Sequence, residues 1–236
     1  MLDPRKDPMG AAIADYHRQG KAARLRVFSP DFDEDEIPVA TLFRTADAMP
    51  PLERQALQLA HGRILDVGAG AGCHSLALQA MGHSVTAIDI SPLAVETMTA
   101  RGVKDARIED FWSVEARYHT ILMLMNGIGI VGRLERLPQL FSHLQQILTD
   151  GGQLLLDSSD LCYLFEEEEG IIELPGGAYY GELEYRMQYK AIKGDPFPWL
   201  YIDFDTRSEA AEAPGFRAEL ITMGEHYDYL ARVTRR

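Results

Sequence analysis

Ile64-Leu-Asp-Val-Gly-Ala-Gly-Ala-Gly72, answered by Val85-Thr-Ala-Ile-Asp89, decides the fold of this chain. The first stretch is an apolar strand running into a glycine turn. The second is an apolar strand that ends in an acid. Without a Cβ, Gly68 and Gly70 let the chain turn tightly and let a ligand approach the backbone. The segment from about Cys73 to Met81 reads as the helix that follows, with free N–H groups and a positive dipole end at its start. Gly82 occupies its C′ position. Asp89 can accept two ribose hydroxyls as a bidentate carboxylate. The layout is that of a fold that holds a nucleoside cofactor beyond the carboxyl ends of its strands.

A dinucleotide site asks for Gly-x-Gly-x-x-Gly. Counted from Gly68 the third slot is Cys73, and counted from Gly70 it is Ser75. Neither fits, whereas Asp66-x-Gly68-x-Gly70-x-Gly72 is unbroken. The Asp66 carboxylate suits a cationic group such as an amino-acid ammonium.

This segment resembles motif I of the class I S-adenosylmethionine-dependent methyltransferases, and the resemblance extends over roughly residues 60–236. It implies that Asp89 is the ribose-binding acid. It also implies that Glu109-Asp110-Phe111 is the third motif, with an acid near the adenine amino group and the next residue packing on the ring. Tyr118-His-Thr-Ile-Leu-Met-Leu-Met-Asn126 resembles the family's fourth strand and post-strand turn. The implied cofactor is S-adenosyl-L-methionine, with S-adenosyl-L-homocysteine as product. Its implied binding residues are Asp66, Gly68, Ala69, Gly70, Gly72, His74, Asp89, Ile90, Asp110, Phe111, Met125 and Asn126.

The 236 residues suit one domain with a sizeable core. There is no run of 18 apolar residues, so no membrane span is expected, and Met1 to Pro8 lacks an apolar signal region. The cytoplasm is the expected compartment. Cys73 and Cys162 lie in different elements, which supports neither a disulfide framework nor a metal site. The net charge of −13 repels an extended polyanion, so nucleic acid is not an expected partner. The basic cluster of Arg18, Lys21, Arg24 and Arg26 reads as a solvated helix face. The acid runs Asp31–Glu36 and Glu166–Glu169 read as solvated loops, or as a means of capturing a cationic acceptor. The sequence sets no oligomeric state.

The expected fold is α/β: a doubly wound, mostly parallel seven-stranded sheet whose last strand is antiparallel, with helices on both faces. Residues 1–60 are expected to form a helical arm over the cofactor site, with helices at Ala11–Leu25 and Leu52–Ala60. Residues 61–236 form the Rossmann-like domain. Within it, residues 161–205 look like an inserted hairpin, with strands at Tyr179–Lys190 and Trp199–Asp205, and a short helix follows near Ser208–Ala213. The aromatic content of the insertion suits an acceptor pocket, or simply a hairpin packed by its own rings.

The implied chemistry is an in-line methyl displacement. The protein aligns the nucleophile, excludes water and removes a proton where needed. The acceptor is expected to be a small molecule. Candidate catalytic residues are Asn126, Tyr16, His17 and Arg44. Asn126 can orient an amine or hydroxyl through its amide oxygen, or merely satisfy its own turn. Asn126-Gly-Ile-Gly129 departs from the Asn-Pro-Pro-Tyr signature of base-modifying amino-methyltransferases. Tyr16 and His17 lie on the arm; His74 and His226 are further candidate bases. Asp157 and Asp160 suit a positive acceptor, or Asp160 caps the following turn. Arg44 suits a carboxylate of cofactor or acceptor, with a salt bridge to the acid run as its plain alternative. Three other readings stand beside this one: a non-catalytic cofactor-binding or interaction protein, a macromolecule methylase acting on a protein rather than on nucleic acid, and an NAD(P)-dependent oxidoreductase.

Overall fold

Strands that are apolar on both sides need cover on both faces, and here they form the centre of the molecule. The computed structural model describes residues 2–168, 171–172, 177–212 and 214–236. The chain opens with α1 (Pro8–Gln19), β1 (Leu25–Phe28), β2 (Asp35–Ile37) and α2 (Pro51–Leu59). The core follows as β3 (Arg63–Val67), α3 (Cys73–Ala80), β4 (Ser84–Asp89), α4 (Pro92–Arg101), β5 (Ala106–Ile108), β6 (Tyr118–Met123), α5 (Leu137–Ile147) and β7 (Leu148–Ser159). A short ladder, β8 (Glu166–Glu168) and β9 (Ile171–Ile172), precedes β10 (Glu182–Tyr189), β11 (Ile192–Lys193) and β12 (Phe197–Leu200). The chain closes with α6 (Phe204–Glu212), β13 (Phe216–Met223) and β14 (Asp228–Arg235).

Seven strands form the main sheet in the order β13-β14-β7-β6-β3-β4-β5. All contacts from β5 through to β7 are parallel, and β14 runs antiparallel between β7 and β13. The doubly wound sheet with an antiparallel last strand is therefore as expected. Successive residues serve opposite cores. Leu65, Ile121 and Leu154 pack with α5, while Ile64, Leu122 and Leu155 pack with Leu52, Ala56 and Leu57 of α2 and with Leu78 of α3. The strand order reverses between β3 and β6, so the ligand crevice of such a sheet lies beyond their carboxyl ends.

A second sheet joins the arm to the insertion. It runs β11-β10-β1-β2, and β12 also pairs with β10. The arm is thus not wholly helical. The expected Ala11–Leu25 helix ends at Gln19, where Gly20 takes a left-handed φ of 69° and returns its N–H to the Tyr16 carbonyl. Leu25 instead pairs with Tyr189, a contact far away in sequence and invisible to local periodicity. The second hairpin strand stops at Leu200 rather than Asp205, and α6 begins at Phe204. Ala213 of the expected helix and Glu169 of the second acid run lie outside the described residues. Among the described residues, no helix is long and apolar enough to cross a membrane.

Candidate active site

The glycine turn follows β3 and is built for contact. Gly68 and Gly70 have φ of 66° and 57°, and a Cβ at Gly68 would meet no atom within 4 Å. Backbone here borders open space. At Gly70 the nearest side chain is Ile13 of α1, 3.9 Å from an ideal Cβ, so the arm closes over the turn. Gly72 has a separate reason: a Cβ there would press on Val103 and Met98. Asp66 is 2% exposed and accepts the Ser75 hydroxyl at 2.5 Å. Burial raises its pKa above the usual carboxylate range.

Asp89 ends β4 with its carboxylate held on both oxygens. Gly70 N–H donates to one at 3.0 Å and Ser91 N–H to the other at 2.9 Å. Desolvation nevertheless pushes its pKa up to about 6. Ser91 caps α4 through Ala94 N–H, and its hydroxyl donates to the buried Asp7, which caps α1 through Gly10 N–H. Two apolar side chains next to the carboxyl ends of β4 and β5, Ile90 and Ile108, are exposed, as walls of a base-binding slot would be without a ligand. Asp110 is exposed and accepts Trp112 N–H at 3.0 Å. Phe111 corrects the expectation of ring stacking. Its side chain is 1% exposed and packs edge-on against His143 at 4.9 Å, inside the core.

Beneath the turn lies a buried charge cluster. His74 Nε2 shares a hydrogen bond with Glu53 Oε2 at 2.8 Å, and the Arg44 guanidinium pairs with both oxygens of the same carboxylate. Burial works against charge on His74, yet Cys73, Glu53 and Asp66 together hold its pKa well above the ordinary value. Glu53 likewise stays below the usual carboxylate range despite its burial, because His74 and Arg44 favour its ionised form. Arg44 therefore meets neither the acid run nor an open ligand position through that edge of its guanidinium. Glu53, unmarked in the sequence, carries the cluster. Its only signal there was a charge in the first turn of an otherwise amphipathic helix.

Beyond the carboxyl end of β6, Met125 and Asn126 take consecutive left-handed conformations, with φ of 61° and 56°. Such backbone persists only where something holds it. Asp157 does so, accepting Met125 N–H at 3.0 Å and Asn126 N–H at 2.6 Å. Desolvation pushes the pKa of Asp157 up to about 6. The Asn126 side chain is already engaged: its amide oxygen accepts the Ser158 hydroxyl at 2.8 Å and its amide nitrogen donates to the Leu200 carbonyl at 3.3 Å. It ties β6, β7 and β12 together instead of presenting a free amide oxygen. Trp199 lies directly against Gly129.

The remaining candidates sit apart. Tyr16 is half-buried with its ring 4.6 Å from that of Phe43, in the cluster that docks the arm. His17 is exposed in the last turn of α1 and His226 in the final hairpin. Asp160 accepts Cys162 N–H at 2.9 Å and the Tyr180 hydroxyl at 2.7 Å, which makes it a turn cap with an aromatic partner. Among the described residues, no three His, Cys, Asp or Glu side chains converge as a metal site would.

Comparison with known proteins agrees with this geometry. A family described as "Methyltransferase domain" matches residues 40–223. A S-adenosylmethionine-dependent methyltransferase from Bacteroides fragilis, solved with S-adenosyl-L-homocysteine, is 59% identical; the match covers 100% of this chain and 97% of that one with a TM-score of 0.95. The CcbJ methyltransferase from Streptomyces caelestis is 14% identical over 82% of this chain and 99% of its own, with a TM-score of 0.59. The glycopeptide N-methyltransferase MtfA, solved with S-adenosyl-L-homocysteine, is 16% identical over 80% of this chain and 89% of its own, with a TM-score of 0.55. The last two likenesses are of fold alone. A search of curated proteins finds no match.

Proposed function

The chain belongs to the S-adenosylmethionine-dependent methyltransferases, and we propose that it methylates a nitrogen or oxygen nucleophile of a small molecule. That family membership replaces the nicotinamide-dependent alternative.

One observation carries the cofactor half of this reading. The Asp89 carboxylate is fixed by Gly70 and Ser91 N–H groups beside the open backbone of Gly68, which suits a ribose next to a closely approaching ligand. The exposed Ile90 and Ile108 suit an adenine, with Asp110 near its amino group. Asp66 and the cluster below it suit the methionine end. When bound, the cofactor would supply an activated sulfonium methyl for displacement by the acceptor's lone pair, with the homocysteine thioether as leaving group. The protein's own part is alignment and exclusion of water. The turn at Met125 and Asn126, held by Asp157, and the second sheet above it suit that part.

The small-molecule half rests on charge. At −13 the chain disfavours a polyanionic acceptor. The test has two arms. In a thermal-shift titration at ~100-fold over Kd, S-adenosyl-L-homocysteine adds about 2.7 kcal/mol, roughly 5–10 °C, and NAD adds nothing. With methyl-labelled S-adenosylmethionine and a cell extract, label appears in material that passes a small-pore filter. A shift with NAD alone, or label confined to retained protein or nucleic acid, would overturn the corresponding half.

A further inference from the structure

The second sheet lies over the acceptor side, and its two faces differ in charge. Cross-strand partners share a face, and residues two apart along a strand share it too. Leu25 pairs with Tyr189 and Val27 with Met187, while Asp35 of β2 pairs with Val27. Along β10 this face continues through Tyr185 to Leu183, which pair with Phe197 and Trp199 of β12. Leu25, Tyr189 and Leu183 on it are buried, so this is the inward face. The opposite face carries Arg26 beside Gln188 and Glu36, and Arg186 beside Phe28. Every arginine of these paired strands points outward, where Arg26 is further bound to Glu34. The same side of the sheet as the buried residues carries rings and one carboxylate, Asp35, which is exposed on the edge strand β2.

The position of this face is fixed at both ends. Leu25 and Tyr189 pack on Ala11 and Ala12 of α1, the helix that closes over Gly70. At the far end Trp199 rests on Gly129, just beyond the Met125 and Asn126 turn. The sheet therefore spans from the cofactor turn to the acceptor turn. Tyr201 continues from β12 and is half-buried. Burial first, then the hydroxyl of Tyr201 and the carboxylate of Asp35, push the Tyr185 pKa up. Burial also raises Tyr201, and Asp35 and Asp157 add to it.

We propose that the acceptor is an amine, recognised as its ammonium ion by the rings of Tyr185 and Tyr201 and the carboxylate of Asp35 beside the second sheet. This rests on the methyltransferase reading above. An ammonium gains from ring faces and from the carboxylate, whereas a carboxylate or phosphate acceptor would be repelled by Asp35. The bound ammonium releases one proton to water, which frees the nitrogen lone pair for the methyl.

Three probes of one skeleton test it: benzylammonium, benzyl alcohol and benzoate, titrated calorimetrically into the full chain saturated with S-adenosyl-L-homocysteine. We expect benzylammonium to bind about tenfold more tightly than benzyl alcohol, and benzoate more weakly than either. Asp35→Asn and Tyr185→Leu should each weaken benzylammonium several-fold while leaving S-adenosyl-L-homocysteine affinity unchanged, which also shows that the variants are folded. Equal affinity for the three probes, preference for benzoate, no binding of benzylammonium, or variants that bind benzylammonium as the parent does would each overturn the proposal. The first titration separates the two readings. Failure to bind S-adenosyl-L-homocysteine defeats the cofactor assignment. Binding it without the charge order defeats only the amine.

Discussion

Asp7 and Ser91 cap two helices and bond to each other: the Ser91 hydroxyl donates to Asp7, Asp7 caps α1, and Ser91 caps α4. Ser91 N–H also holds Asp89. The arm is thereby coupled to the Asp89 carboxylate through one residue. Replacing Asp7 with Ala removes a cap and leaves the Ser91 hydroxyl without its acceptor, at a cost of about 2 kcal/mol. Thermal denaturation should show a midpoint lower by roughly 4–8 °C. Calorimetry should show weaker S-adenosyl-L-homocysteine binding, because α1 no longer closes over Gly70. An unchanged midpoint and affinity would dissolve the coupling.

Asp89 should give cofactor binding a pH dependence. Its folded pKa is about 6, against an ordinary value of 3.8, so its raised value contributes stability that is full below pH 3.8 and lost as pH rises through 6. Cofactor binding runs the other way, since the ribose hydroxyls need the ionised carboxylate. S-adenosyl-L-homocysteine affinity should fall as pH drops through about 6. Asp89→Asn should be weaker by about 1–3 kcal/mol at neutral pH and flat across this window. A parent profile with no inflection there would contradict the assignment.

Glu53 is the shared anion of Arg44 and His74, with its side chain 7% exposed. Glu53→Gln strands two buried cations and should cost about 3–5 kcal/mol in urea denaturation. The double variant Glu53→Gln with His74→Gln should recover part of that loss. Equal stability of parent and single variant would mean that the cluster is solvated.

Gly129→Ala places a methyl group in the indole of Trp199. The expected result is displacement of the second sheet from the acceptor turn. Methyl transfer should fall at least several-fold with S-adenosyl-L-homocysteine affinity kept, and Trp fluorescence should shift to the red. Loss of cofactor affinity in the same proportion as transfer would instead place Gly129 within the cofactor site.

The proposed nucleoside site was legible because it is local. Asp66, the glycines at 68, 70 and 72, and Asp89 sit in one strand–turn–helix–strand unit, where a positive φ or a strand-end acid leaves its mark on a few adjacent residues. The central strands were legible for the same reason: burial on two faces writes an unbroken apolar run. The end of the expected Ala11–Leu25 helix is replaced by a strand because Leu25–Phe28 pairs with β10, more than a hundred residues on, and with β2. The same pairing resolves the basic cluster and the acid run, whose Arg24 and Arg26 meet Glu36 and Glu34 across β1 and β2. Local pattern marked the strand–turn–helix unit in which we propose the cofactor binds. Only the tertiary structure decided which charges cancel, that Asn126 is a brace, that Glu53 joins Arg44 to His74, and that Asp35 and Tyr185 share one side of the second sheet. Each of these depends on contacts between distant segments, and spacing along the chain carries no record of those.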